Sequence, residues 1–172
     1  MSVKKLVISA LFLSLCYVLP FVSGGIPVIG NMLCLMHIPV MLAGYILGWP
    51  YALAIGLIAP ITRSFFFGTP ILYPNAICMA LELASYGVFA DLFNKLFNKI
   101  KLNKNLSLIL SLIIAMIIGR VIWGASKWLL LSFTNNPFTF ELFIAGAILN
   151  AWPGIIIQII LVPLLVKAVK KD

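Results

Sequence analysis

The sequence predicts an all-α integral membrane protein, and three observations carry that prediction. Hydrophobic residues make up 63% of the 172 and charged residues only 9%, against about 45–50% and about 25% in soluble domains. The apolar residues fall into runs long enough to cross a bilayer as helices, for which about 17–25 residues suffice. Twelve Lys and Arg stand against four Asp and Glu, a net charge of +8, and most of these cations cluster beside the ends of apolar runs. So apolar a chain has too little polar surface to face water all round, which excludes a soluble enzyme and a disordered linker. Its length fits one membrane domain, residues 1–172.

Six segments read as spanning helices: Leu6–Val22, Leu33–Gly48, Tyr51–Phe67, Leu72–Phe93, Leu106–Phe133 and Phe138–Val166. The first exceeds the roughly 7–15 residues of a signal-peptide apolar region and no small-residue cleavage site follows, so it reads as a membrane helix. The second is short and spans only with His37 and Pro39 inside it. The last two are long enough to tilt or to end in surface turns. Turn chemistry separates the segments: Ser23-Gly24-Gly25-Ile26-Pro27, Gly48-Trp49-Pro50, Gly68-Thr69-Pro70 and Asn135-Asn136-Pro137. The fourth connection, Asn94–Asn105, is polar and basic.

The cations orient the bundle. Lys4 and Lys5, then Lys95, Lys99, Lys101 and Lys104, then Lys167, Lys170 and Lys171 fall on one side of a six-span bundle. The opposite loops, Ser23–Met32, Gly68–Ile71 and Thr134–Pro137, carry no Lys or Arg. By the positive-inside rule both termini are cytoplasmic. Positive charge placed this way addresses a bilayer and not nucleic acid.

Arg63, Glu82, Arg120, Lys127 and Asn150 lie inside apolar runs and converge on the outer half. Ionisable residues there are costly and are functional candidates. Arg120, Trp123 and Lys127, at i, i+3 and i+7, share one face of the fifth helix, and Asn75, Met79, Glu82 and Tyr86 share one face of the fourth. A cation–aromatic–cation stripe facing an amide–carboxylate–phenol stripe suits a small polar, partly flat ligand. The plain structural readings are an Arg63–Glu82 ion pair, Lys127 snorkelling to outer headgroups, Asp91 meeting Lys95 at i+4, and His37 packed in a core or loop. Trp49, Trp128 and Trp152 read as interface anchors. Cys16, Cys34 and Cys78 read as buried small apolar residues.

No catalytic set and no metal set is assembled: there is one histidine, no C-x-x-C, no G-x-S-x-G, no H-E-x-x-H and no P-loop. The chain is expected to be no enzyme and to hold no cofactor, so energised transport requires ATP use by another subunit.

The stretch from His37 to Gly56, with Pro39, Gly44, Gly48, Pro50 and Gly56, resembles the second-to-third helix passage of substrate-binding S components of energy-coupling factor (ECF) vitamin transporters. Small residues recur in it every four positions, and a Gly-x-Pro turn leads into the third helix. The resemblance implies a six-helix cell-membrane protein that captures a water-soluble vitamin or related micronutrient on the outer side. It implies a pocket formed by helices four to six under the first and third outer loops. It also implies partners: a membrane coupling subunit and two cytoplasmic ATPase subunits, with toppling in the bilayer to release the ligand. The family's Ala-x-x-x-Ala contact for the coupling subunit is matched nearest by Ala10-Leu-Phe-Leu-Ser14, where Ser14 departs from the pattern but stays small.

On this reading Arg120 and Lys127 take an acidic or carbonyl group, Trp123 stacks, and Glu82, Asn75 and Asn150 supply hydrogen bonds. Asn31 in the first outer loop is a lid contact, and Arg63 partners Glu82. Arg120→Ala is then expected to lower affinity more than it lowers the amount of folded protein. The excess of cations favours an anionic or carbonyl-rich ligand, whereas Glu82 equally permits a basic ring. Two other classes compete: a small intramembrane enzyme acting on lipid or isoprenoid phosphates, and a structural membrane subunit without ligand.

Overall fold

A computed structural model describes residues 3–23, 32–132 and 138–169. The described chain is helical throughout. Helix α1 (Val3–Val18) continues into one tight turn, Leu19–Ser23, and is followed by α2 (His37–Leu47) and α3 (Trp49–Phe67). A wide turn at Leu72–Ala76 opens α4 (Ile77–Lys99), and α5 is Lys104–Leu131. Helix α6 (Phe140–Ile144) runs on through a second wide turn, Ala145–Leu149, and α7 is Trp152–Val169. Five of these stretches are long and apolar enough to cross a membrane: Val3–Phe21, Trp49–Phe67, Leu72–Lys99, Lys104–Leu131 and Trp152–Val169. Their exposed Leu, Ile, Val and Phe side chains are what a lipid-facing surface requires.

Two of the six expected spans differ. Helix α2 has 11 residues, about 16 Å of rise, because Cys34 adopts a left-handed φ of 49° that separates it from Met32 and Leu33. Every residue of α2 except Ile46 is buried, and it packs against α1, α3, α4 and α7. A helix enclosed on all sides is apolar on all sides, so its sequence reads as a spanning segment even at this length. The expected sixth span, Phe138–Val166, breaks at Asn150–Ala151. Pro153, in the first turn of α7, has no amide to donate back into a continuing helix, and the Asn150 amide closes the wide turn onto the Ala145 carbonyl at 2.8 Å. Conversely α4 runs on to Lys99, which shortens the polar fourth connection.

Small residues let the central helices touch. A Cβ on Gly56 of α3 would lie 2.5 Å from the Ala84 amide nitrogen and 2.7 Å from Ala84 Cα on α4, and a Cβ on Gly44 of α2 would strike the Gly87 carbonyl oxygen. Gly44 on α2 and Ala52 and Gly56 on α3 thus bring both helices onto the Ala84–Gly87 stretch of α4, the kind of close approach that small residues allow in membrane packing.

Between α2 and α3, Gly48 takes a φ of 98° and the turn is clamped from α4. Asp91 Oδ2 accepts from the Trp49 amide at 2.9 Å and from Lys95 Nζ at 2.6 Å. Nearby, Tyr45 Oη bonds Ser111 Oγ at 3.0 Å and Ser107 Oγ bonds Asn94 Oδ1 at 3.1 Å. Asp91→Ala removes a cap acceptor and an ion-pair partner at once and is expected to cost about 1–2 kcal/mol. Asp91→Asn, which still accepts from the Trp49 amide, is expected to cost less. Thermal unfolding in detergent ranks the two.

Candidate ligand site

Lys5 lies with its ammonium 5.7 Å from the Tyr51 ring centre, and Asp91 and Lys95 cap the start of α3, so the first turns of α1 and α3 and the last turns of α4 share one end of the bundle. That end gathers Lys4, Lys5, Lys95, Lys99, Lys101 and Lys104. The opposite end is built from the start of α4, the second half of α5, α6 and the start of α7, and the intramembrane polar residues lie toward it.

Glu82, 2% exposed, is the centre of a buried polar cluster. Arg120 Nη1 reaches Glu82 Oε1 at 2.9 Å, and Tyr86 Oη donates to the same oxygen at 2.9 Å. His37 Nε2 stands 3.6 Å from Glu82 Oε2. Arg120 Nη2 points to Cys34 Sγ at 3.6 Å, and Gln158 Nε2 donates to the Cys34 carbonyl at 3.3 Å. Helices α2, α4, α5 and α7 thus meet at one point. Gly119 makes the meeting possible: a Cβ there would run into the Tyr86 ring, so α5 lies directly on α4 and delivers Arg120 to Glu82.

The expected Arg63–Glu82 pair is not formed. Arg63 Nη1 donates to the Tyr17 carbonyl at 2.8 Å, and its guanidinium lies 5.1 Å and 5.4 Å from the ring centres of Phe21 and Phe67. Arg63 therefore ties α3 to α1, assisted by Tyr17 Oη and Thr62 Oγ1 at 2.6 Å. Glu82 is already satisfied from α5, and α3 meets α4 on a different face.

Along α5 from Arg120, on the same face, Trp123 and Lys127 line a cavity of about 370 Å³ together with Phe138, Leu142, Gly146 and Asn150. The Lys127 ammonium sits 4.8 Å from the Trp123 ring centre and 5.6 Å from that of Phe138. Phe138 meets the indole edge-on at 5.8 Å. Gly146 leaves the space the indole fills, since a Cβ there would come within 2.6 Å of Trp123 Cη2. Asn75 lies in the wide turn ahead of α4, half-buried, and among the described residues it does not line this cavity. Asn31 lies outside the described residues. Ala10 and Ser14 are exposed on α1, far along the chain from the cavity, with Ser14 Oγ bonded to the Ala10 carbonyl at 2.8 Å.

Gln158 is not singled out by the sequence, and His37, expected to pack in a core or loop, is buried beside Glu82. The signal available was their type alone: the single histidine, and the only amide between Trp152 and Val169. Among the described residues no group of His, Cys, Asp and Glu is arranged to hold a metal ion, and the cysteines are buried and unbridged.

The sequence profile of the ECF transporter substrate-specific component family matches residues 4–166. The chain belongs to this family. Neither the curated proteins nor the solved structures contain a significant match to it. As an ECF substrate-specific component, it is a multi-pass membrane protein and the substrate-binding subunit of a transporter. The family works on a small molecule in association with ECF coupling and ATPase subunits.

Proposed function

We propose that this S component captures a water-soluble vitamin or related micronutrient in the cavity between α5 and α6 and delivers it together with a membrane coupling subunit and two ATPase subunits. The observation that carries the reading is the cavity itself. It joins aromatic walls, an amide and an ammonium above a buried ion-paired cluster, in a chain whose family binds substrate. Pockets of a few hundred Å³ lined by apolar side chains with a few placed polar groups are the usual form of a small-molecule site.

In this reading Trp123, Lys127 and Asn150 touch the ligand directly. Arg120 and Glu82 form the layer beneath, with the Arg120 Nε, which has no hydrogen-bond partner among the described residues, available to a ligand that reaches that depth. Asn75, which does not line the cavity, is not among these contacts. The basic end faces the cytoplasm, following the positive-inside rule, so both termini lie inside and the cavity opens outward. Ala10 and Ser14 form the close-packing stripe for the coupling subunit. ATP is used by the partners, and no cofactor is held by this chain.

The test is reconstitution in vesicles with the coupling and ATPase subunits, following accumulation of the small molecule that co-purifies with the chain. ATP-dependent uptake is expected. In Ala10→Leu/Ser14→Leu, both assembly and uptake are expected to fail while ligand binding by the isolated chain persists. Failure of the wild-type chain to assemble with those subunits would contradict the proposal.

A further inference from the structure

Charge accounting around the cavity narrows the ligand, on the premise that the cavity is the binding site. The chain has four carboxylates. Glu82 is taken by Arg120 and Asp91 by Lys95, Glu141 is exposed on α6, and Asp172 lies outside the described residues. No Asp or Glu occurs in the sequence from 92 to 140, and among the described residues no carboxylate stands at ion-pairing distance from Lys127. The Lys127 ammonium, only partly exposed, rests instead against the Trp123 and Phe138 rings. Ring faces hold a cation through their quadrupole, less strongly than a charge-assisted hydrogen bond to an anion does. Lys127 is therefore a cation waiting for a counter-charge.

We infer that the ligand is a flat aromatic or heteroaromatic monoanion whose acidic group pairs with Lys127. A second negative charge would find no free cation beside it, because the Arg120 guanidinium is already neutralised by Glu82. A basic ring fares worse, since it would meet the Lys127 ammonium and find both Glu82 oxygens enclosed by Arg120, Tyr86 and His37. The aromatic walls supply edge and face contacts for a ring, the cavity of about 370 Å³ has room for it, and the Asn150 amide offers a donor and an acceptor to ring heteroatoms.

The experiment uses the detergent-purified full chain and three test compounds of one shape: benzoate, benzamide and benzylammonium. Thermal unfolding is followed at millimolar concentration and constant ionic strength. Benzoate is expected to raise Tm by about 2–4 °C, with no rise from the other two. Lys127→Met is expected to lose the benzoate response and Lys127→Arg to keep it. An equal rise with benzamide or benzylammonium, or a benzoate response retained in Lys127→Met, would overturn the charge assignment and leave the cavity a binding site. No response to any of the three, in a chain that native mass spectrometry shows carrying a small molecule, would overturn the aromatic-anion class alone. No response together with no bound molecule would overturn the binding reading as well.

Discussion

Glu82→Leu is expected to destabilise the folded chain by about 3–5 kcal/mol, the cost of stranding a buried charge whose partner has been removed. Arg120 would be left with a side chain only 14% exposed and no carboxylate in reach. Arg120→Met should cost about as much, because Glu82 would keep only Tyr86 and His37 at 3.6 Å. The double variant Glu82→Leu/Arg120→Met should recover most of the loss, since replacing a buried pair by apolar residues of similar volume is often neutral. Unfolding in detergent, arranged as a double-mutant cycle, measures the coupling directly. Strictly additive losses would show that the two residues do not depend on each other.

The same pair changes how a substitution at Arg120 should be read. From the sequence, Arg120→Ala is expected to lose affinity more than folded protein. With Arg120 bonded to Glu82, the single variant loses folded protein heavily whatever its part in binding. The folded double variant separates the two roles: weak binding there marks Arg120 as a ligand contact, and near-normal binding marks it as the support beneath the cavity.

Gly146→Leu is the second large effect. The new side chain would occupy the space of the Trp123 indole, which lies within 2.6 Å of the added Cβ. The indole must swing away or the cavity must fill, so ligand affinity is expected to fall by roughly 30-fold or more, about 2 kcal/mol. Helix α6 lies at the rim of the bundle with most of its residues exposed or half-buried, so the loss of stability should be much smaller. Isothermal titration with the co-purifying molecule, read beside the thermal unfolding curve, distinguishes the two.

Helical periodicity made a good part of this legible. The i, i+3, i+7 spacing of Arg120, Trp123 and Lys127 places them on one face of α5, and the same rule puts Glu82 and Tyr86 together on α4, as they are found. The Asp91–Lys95 contact at i+4 likewise follows from spacing. What periodicity cannot supply is which helix lies beside which. Spacing alone pairs Glu82 with Arg63, and the approach of α5 over Gly119 brings Arg120 to it instead. His37 stands 45 positions from Glu82 in the chain, and only the burial of the short α2 in the bundle centre brings them together. The break at Asn150 was hidden because hydropathy runs on across it, although Pro153 marks the place.

The most direct test of the account is native mass spectrometry of the detergent-purified chain beside Gly146→Leu. A bound molecule of vitamin size is expected on the wild-type chain and is expected to be missing, or far weaker, on the variant. A molecule retained equally by both would place binding elsewhere in the bundle. A wild-type chain that stays empty after incubation with a panel of water-soluble vitamins would contradict the assignment of this cavity as the site of capture.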